Sequence, residues 1–256
     1  MDNIVTNLNL EVFITTLAYT QPRILAMFAL IPLFNQSILP MTIRVGMASV
    51  FGLLLVPALM PHVAANMPGF LDGLGIILKE AFLGFSMGFL IAIPFWMIES
   101  VGFFIDNQRG ASISATLNPL TGNDSSPLGE LFNQAFIVFF FISGGFLLML
   151  TVLYDSFAQW NIFSWKPHLG ADAILPWLGQ LDRLVRVGLL LGAPVIVAMF
   201  LAEVGLALVS RFVPSLQVFF LAMPIKSALA FLVLVMYTQT LFTYATEHVG
   251  GIRDTL

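Results

Sequence analysis

Residues 74–98, LGIILKEAFLGFSMGFLIAIPFWMI, decide the fold class, because this stretch is long and apolar enough to cross a bilayer as one helix. A hydrocarbon core of about 30 Å needs about 20 apolar residues in a helix. The sequence therefore predicts an all-α membrane protein with about six long apolar segments. The other five segments lie near residues 12–34, 45–60, 131–154, 186–209 and 216–244.

The composition excludes an ordinary soluble domain. Hydrophobic residues make up 59% of the chain and charged residues 9%, against about 45–50% and about 25% in average soluble domains. The net charge is −4 and the basic residues are scattered singly, so nothing indicates a nucleic-acid partner. The absence of cysteine excludes disulfides, thiol nucleophiles and Cys-ligated metals. Residues 1–5 have no basic start, so we expect no cleaved signal peptide.

Charged and proline residues interrupt these apolar stretches. Pro22 removes a backbone donor and predicts a kink in the first stretch. A charge at the centre of a span costs about 2.5–3.5 kcal/mol on insertion scales, so such residues normally face a bundle interior, a wet cavity or an opposite charge. The intramembrane charge Arg23 is one case, and Glu203 and Lys226 lie on consecutive predicted helices as a candidate buried pair. Structural ion pairs and side chains that reach the membrane surface are the other interpretation.

Residues 106–130 form a long polar segment rich in small side chains between two very apolar regions. Loops of this length without their own helix are often functional or disordered. Irregular backbone is tolerated at membrane depth only where it is buried in protein or lines a wet cavity. Two interpretations therefore stay open, an ordinary solvated loop and a segment that folds into a channel.

Small residues predict close helix packing at two places, Gly84 with Gly88 and Gly144 with Gly145. No catalytic or nucleotide-binding motif occurs, and His62, His168 and His248 do not have metal-ligand spacing. We therefore expect neither an enzyme nor a cofactor.

Several strings carry a family resemblance. Ile105–Ala111 (IDNQRGA), Asn118–Pro119 and Ser125–Leu128 (SSPL) resemble the polar segment of the SctT family, also called SpaR, YscT or HrcT. This family is the export-apparatus membrane component of type III secretion systems. The flagellar relative FliR usually lacks the Asp-Asn-Gln-Arg-Gly string, so the injectisome branch is favoured. Further matches are Pro94–Trp96, Ser143–Gly145, Ala202–Leu206, Ser210–Pro214 and Met223–Ser227.

The resemblance implies one integral membrane domain over residues 1–256, with helical hairpins and broken helices that resemble a fusion of the SctR-like and SctS-like subunits. It implies a hetero-oligomer with those two subunits in the bacterial inner membrane, assembled partly on its periplasmic side. The SctU-like switch protein, the SctV-like gate and secreted unfolded proteins are the further partners that it implies.

The resemblance also implies a role for residues 106–123, which in the family form a plug that closes the export pore until substrate arrives. The matching plug positions are Asp106, Asn107, Gln108, Arg109, Gly110, Ala111, Ser112, Asn118 and Pro119.

Three alternatives to the injectisome gate remain, a flagellar FliR-type component, a membrane scaffold, and a small-solute transporter or channel that uses Arg23, Glu203 and Lys226.

Overall fold

The chain is helical throughout the part that the structure describes. A computed structural model describes residues 2–35, 39–65, 68–110, 126–164, 174–213 and 218–252, and no strand occurs in these ranges. The helices are α1 (Asp2–Leu30), α2 (Met41–Ala65), α3 (Phe70–Arg109), α4 (Pro127–Ile142), α5 (Gly145–Gln159), α6 (Ile174–Phe212) and α7 (Val218–Ile252), with a short 3-10 helix at Pro32–Phe34.

Four helices in the described ranges are long and apolar enough to cross a membrane, and the bent pair α4 and α5 would make a fifth if it is one span. The predicted all-α membrane fold is confirmed, but the count of about six segments is not. The stretch 12–34 accounts for the difference, because Thr16, Thr20, Gln21 and Arg23 place polar groups along the middle of α1. The four are Met41–Ala65, Phe70–Arg109, Leu184–Phe212 and Phe220–Leu241.

The prolines inside α1 and α3 do not end those helices. The predicted kink at Pro22 does not interrupt α1, which continues to Leu30, and α3 likewise runs through Pro94. The break falls instead between α4 and α5, where Gly144 has a φ of 80°. Glycine adopts this left-handed conformation without steric cost and commonly follows a helix end, whereas a proline removes only one helical donor.

The chain divides into two compact units, one of Met1–Ala92 with Phe146–Ile174 and one of Ile93–Gly145 with Leu175–Thr255. In the first unit, Phe28 stacks on Phe34 with ring centroids 3.9 Å apart. In the second unit, Phe95 lies 4.9 Å from Phe136 and 5.1 Å from Phe140, centroid to centroid. That residues 1–256 act as one domain stays a prediction, and so does the likeness to a subunit fusion.

Close helix crossings are built on glycine in both units. A Cβ atom at Gly84 would lie 2.0 Å from the carbonyl oxygen of Arg23, and one at Gly88 would lie 2.7 Å from that of Met27. The predicted close packing at Gly84 and Gly88 is therefore confirmed. In the second unit, a Cβ at Gly102 would lie 2.4 Å from the backbone nitrogen of Gly129. These contacts leave no room for a side chain, so the backbones of the paired helices touch.

Candidate functional site at the base of the polar segment

The polar segment follows the end of α3 and precedes the start of α4. Gly110 follows the last residue of α3 with a φ of 83°, and its N–H donates to the carbonyl of Asn107 over 3.1 Å. At the other end, the Ser126 hydroxyl accepts from the N–H of Gly129 over 2.9 Å, and Pro127 occupies the first helical position. Serine before a proline is a favoured helix start, so the local sequence fixes both ends.

Asp106 joins these two ends. Its Oδ1 accepts from Arg109 Nε over 2.7 Å and lies 2.7 Å from Arg109 NH2. Its Oδ2 accepts from the Ser126 hydroxyl over 2.7 Å and from the backbone N–H of Leu128 over 2.9 Å. Only 4% of the Asp106 side chain is exposed. Hydrogen bonds to an ionised carboxylate are roughly twice as strong as neutral ones, so this is a firm connection between α3 and α4.

Arg109 has a second contact, with α7. Its guanidinium carbon lies 5.5 Å from the centroid of the Phe231 ring, within the range of a cation–π interaction. The side chain is 17% exposed, so this interaction is partly desolvated. The base of the polar segment is therefore linked to three helices of the second unit, α3, α4 and α7.

Two further predicted plug positions, Asn107 and Gln108, lie in the last turn of α3. Asn107 is exposed, and its Nδ2 donates to the carbonyl of Phe103 on its own helix over 3.0 Å. Gln108 is partly exposed at the end of α3. Four of the predicted plug positions lie outside the described residues, namely Ala111, Ser112, Asn118 and Pro119.

Sequence reasoning missed the groups on the α4 side of the base. The hydroxyl of Ser126 and the N–H of Leu128 hold Asp106, and Asn133 Nδ2 donates to Glu99 Oε2 over 3.3 Å further along the same helix pair. The Ser-Pro pair was the available signal for Ser126, since a serine followed by proline marks a helix start. A backbone N–H such as that of Leu128 leaves no signal in a sequence.

Arg23 lies in a different cluster, inside the first unit. Its Nε donates to Glu80 Oε2 over 2.6 Å, its NH1 to the Ser156 hydroxyl over 3.1 Å and its NH2 to the carbonyl of Trp160 over 3.0 Å. Its guanidinium carbon also lies 4.0 Å from the centroid of the Phe157 ring. Both Arg23 and Glu80 are 0% exposed. Every nitrogen of Arg23 is thus engaged, and the cluster connects α1, α3 and α5.

Lys79 extends the Arg23 cluster. Its Nζ lies 3.0 Å from Glu80 Oε1 and donates to the carbonyls of Asn161 and Ser164, both over 3.1 Å, and to that of Ile162 over 2.5 Å. The carbonyls after a helix end have no intrahelical donor, and a lysine ammonium can satisfy three of them. Lys79 and Arg23 together therefore hold the end of α5.

The structure also brings Glu203 and Lys226 together, with Lys226 Nζ donating to Glu203 Oε2 over 3.1 Å. The Lys226 side chain is 10% exposed and that of Glu203 is 48% exposed, so the pair is only partly buried. Arg44 differs from both clusters. It is 6% exposed, and its Nε and NH2 have no hydrogen-bond partner among the described residues.

These features define a class of protein, a multi-pass helical membrane protein with buried charge clusters and a polar segment held at its base. Within the described ranges, no group of three or more His, Asp or Glu side chains could hold a metal ion. The expectation that the chain needs no cofactor stays a prediction.

Comparison with known proteins gives the family, because residues 14–252 match Bacterial export proteins, family 1. The chain is 40% identical to the Yop proteins translocation protein T of Yersinia pestis, over 91% of this chain and 89% of that protein. It is 29% identical to the Surface presentation of antigens protein SpaR of Salmonella typhimurium, over 84% and 80%. It is 26% identical to the Flagellar biosynthetic protein FliR of Bacillus subtilis, over 86% and 85%.

The chain belongs to this bacterial export family, the SctT and FliR family that the sequence strings indicated. It is a component of a bacterial protein export apparatus. With the four apolar helices of its described ranges, it is a multi-pass protein of the inner membrane. The three names describe translocation, presentation and biosynthetic proteins, and none of them describes an enzyme.

Proposed function

We propose that this chain is a gate component of the type III secretion export apparatus, in which the polar segment acts as a plug that closes a pore for unfolded proteins. One observation carries the proposal. The residues on either side of positions 111–125 are joined through Asp106, whose carboxylate binds Arg109 on one side and Ser126 on the other. A polar segment with both ends fixed at one place can move as a unit while its base stays still.

The sequence of the segment suits this role. Small and hydroxyl side chains allow a backbone to approach other chains closely and to exchange hydrogen bonds with water or neighbours. A sterically closed gate needs no catalytic group, so this chain acts without enzymatic activity and the energy for export comes from other components. The family resemblance implies a proton-motive force and a separate ATPase as the sources.

The injectisome branch is favoured over the flagellar branch. Identity is 40% to the Yop proteins translocation protein T and 26% to the Bacillus FliR over similar shares of the chain. The string Asp106–Gly110 points to the same branch. We infer that the substrates are secreted proteins of an injectisome rather than flagellar subunits.

The surface of the chain supports assembly with other subunits. Only 33% of the apolar window in Leu184–Phe212 and 22% of that in Phe220–Leu241 is buried within the chain. Among the described residues, Nε and NH2 of buried Arg44 have no hydrogen-bond partner. An acceptor from a neighbouring subunit would compensate this charge, since an uncompensated buried charge is strongly destabilising. SctR-like and SctS-like subunits are the proposed neighbours, in an assembly partly on the periplasmic side, with SctU-like and SctV-like proteins as further partners.

The small-solute transporter is not favoured. Such a protein would need free charged groups to bind an ion or a proton. Arg23 instead donates through each of its nitrogens to groups of its own chain, and Lys226 donates to Glu203.

Removal of residues 111–121 from the full chain tests the proposal. The assembled complex, purified and inserted into a planar bilayer, should then pass ions in the absence of substrate, because the plug is gone while the base remains. Conductance is the measurement, and co-purification of the SctR-like and SctS-like subunits shows that assembly has survived. A variant with residues 111–121 replaced by glycine and serine in equal number covers the case in which the deletion fails to assemble.

The matched control removes Pro167–Gly170, a stretch whose proline and glycine indicate a connecting loop. This deletion should leave the bilayer as tight as the parent complex. An assembled complex that stays closed after both changes to residues 111–121 would overturn the gate and favour a scaffold. Loss of solute uptake without ion leakage would favour the transporter instead.

A further inference from the structure

We propose that Asp106 is a positioning residue that joins the two ends of the polar segment into one base, formed by residues up to Arg109 and from Ser126 onward. This inference rests on the proposed function, because it states how the plug is held. It changes the role that the family resemblance implies for Asp106 and Arg109, from plug residues to fixed base residues.

The carboxylate of Asp106 is saturated by groups from both sides of the segment. Oδ1 receives Arg109, from the α3 side, and Oδ2 receives Ser126 and the N–H of Leu128, from the α4 side. The pair Asp106 and Arg109 lies within one helical turn and would form without the segment. The bonds to Ser126 and Leu128 span 20 and 22 residues, so they exist only when the two ends meet.

The helices behind the anchor are fixed independently of it. Gly102 and Gly129 bring the backbones of α3 and α4 into contact less than two turns of helix from Asp106. One turn further on, Asn133 donates to Glu99. Displacement of the plug by a passing chain therefore need not separate α3 from α4. The structure assigns the fixed part to residues up to Arg109 and from Ser126 onward.

Arg109 gives the anchor a second attachment, through its contact with Phe231 on α7. The carboxylate holds the guanidinium in place while the ring covers it, so removal of Asp106 would also release Arg109. Bringing together the two ends of a long segment costs conformational entropy. Because the anchor already holds both ends together, it lowers the entropy cost of placing the segment at the pore.

A cysteine reporter measures the anchor directly, because the natural chain contains no cysteine and every signal comes from the introduced one. Leu128 is 5% exposed, so Leu128→Cys should react slowly with a maleimide in the full-length chain purified in detergent. Addition of Asp106→Ala should raise the labelling rate about tenfold, as expected when a local opening equilibrium shifts. Leu131→Cys, at a position that is 56% exposed, should react rapidly with and without Asp106→Ala.

Two further variants separate an anchor from a general loss of structure. Asn107→Ala removes an exposed neighbour whose Nδ2 donates to the carbonyl of Phe103 in its own helix, and it should leave the Leu128→Cys rate unchanged. The exchange Asp106→Arg with Arg109→Asp restores an ion pair but offers no acceptor at position 106 for Ser126 and Leu128, so the labelling rate should stay high. Asp106→Glu keeps the acceptor and should bring the rate most of the way back to the parent value.

Equal labelling of Leu128→Cys with and without Asp106→Ala would overturn the anchor, and so would full recovery by the charge exchange. These labelling results do not depend on conductance, so they distinguish failure of the anchor from failure of the gate. In the assembled complex, Asp106→Ala should add leakage to the parent but none to a chain that already lacks residues 111–121. Added leakage in the deleted chain would contradict an effect through the segment.

Discussion

Two arginines of this chain, Arg23 and Arg109, each pair with a carboxylate, and the difference between their surroundings separates a structural cluster from the candidate functional site. Arg23 and Glu80 are 0% exposed, and the partners of Arg23 lie 57, 133 and 137 residues away in the sequence. Arg109 is 17% exposed and pairs with Asp106 three residues earlier, at a helix end. Burial and long sequence separation mark a cluster that holds the fold together. A short-range pair at a helix end marks the base of the polar segment.

The largest expected effect is loss of stability in the first cluster. Arg23→Met should lower the free energy of unfolding by about 3–5 kcal/mol, because it leaves the buried carboxylate of Glu80 without its main partner. The measurement is denaturant unfolding of the full chain in detergent, with yield of folded protein as a second readout. The double variant Arg23→Met with Glu80→Met should be more stable than Arg23→Met alone, since it removes both buried charges. A double variant less stable than the single one would show that the cluster does more than pair two charges.

Substitution of the glycines at the helix crossings should have the next largest effect on stability. It sharpens the comparison because one such glycine lies beside each cluster. Gly84→Ala and Gly102→Ala should each lower stability by about 1–3 kcal/mol, because the added Cβ would meet backbone atoms at 2.0 and 2.4 Å. Gly84→Ala should act through the first unit, and Gly102→Ala should also raise the labelling of Leu128→Cys. Gly205 in α6 is the matched control, since its Cβ would meet nothing within 4 Å. Gly205→Ala should be neutral or slightly stabilising, as expected for alanine in a helix.

The smallest effects belong to the exposed pairs. Glu203 is 48% exposed, so Glu203→Gln should change stability by about 0–1 kcal/mol. Arg186 and Asp182 are 72% and 71% exposed, and Arg186→Ala should have no measurable effect on the unfolding midpoint. The same denaturant series reports both. If Glu203→Gln lowered stability as much as Arg23→Met, the exposure of an ion pair within the single chain would not predict its contribution to stability.

The sequence predicted the class of the fold well and its interruptions poorly. Long apolar stretches gave the positions of α2, α3, α6 and α7, because hydrophobic length is a property of the chain itself. Helix α1 continues through Pro22, whose predicted kink stays a prediction, and the break at Gly144 was not foreseen. A proline inside a helix can be accommodated by its neighbours, and whether a glycine takes a positive φ depends on the packing around it.

The candidate site was found by sequence only in part. Strings in residues 105–128 identified the family and drew attention to Asp106 and Arg109. Charged side chains can be recognised from the sequence alone. Ser126 was quoted within a string without a role, and Leu128 could not be recognised because its backbone N–H makes the contact. Likewise Arg23 was singled out as an intramembrane charge, but its partners Glu80, Ser156 and Trp160 come from distant parts of the chain.

Composition and linear pattern by themselves determined that this chain is a membrane protein and which of its charges need an explanation, because polar groups are costly to place in lipid. Strings of neighbouring residues determined the family. Only the tertiary structure decided that Arg23 belongs to a closed structural cluster and that Asp106 joins the two ends of the polar segment. The physical reason is that a buried charge is stabilised by whichever groups the packed helices bring within about 3 Å. Which groups these are depends on how distant segments pack, so they cannot be predicted from the charged residue alone.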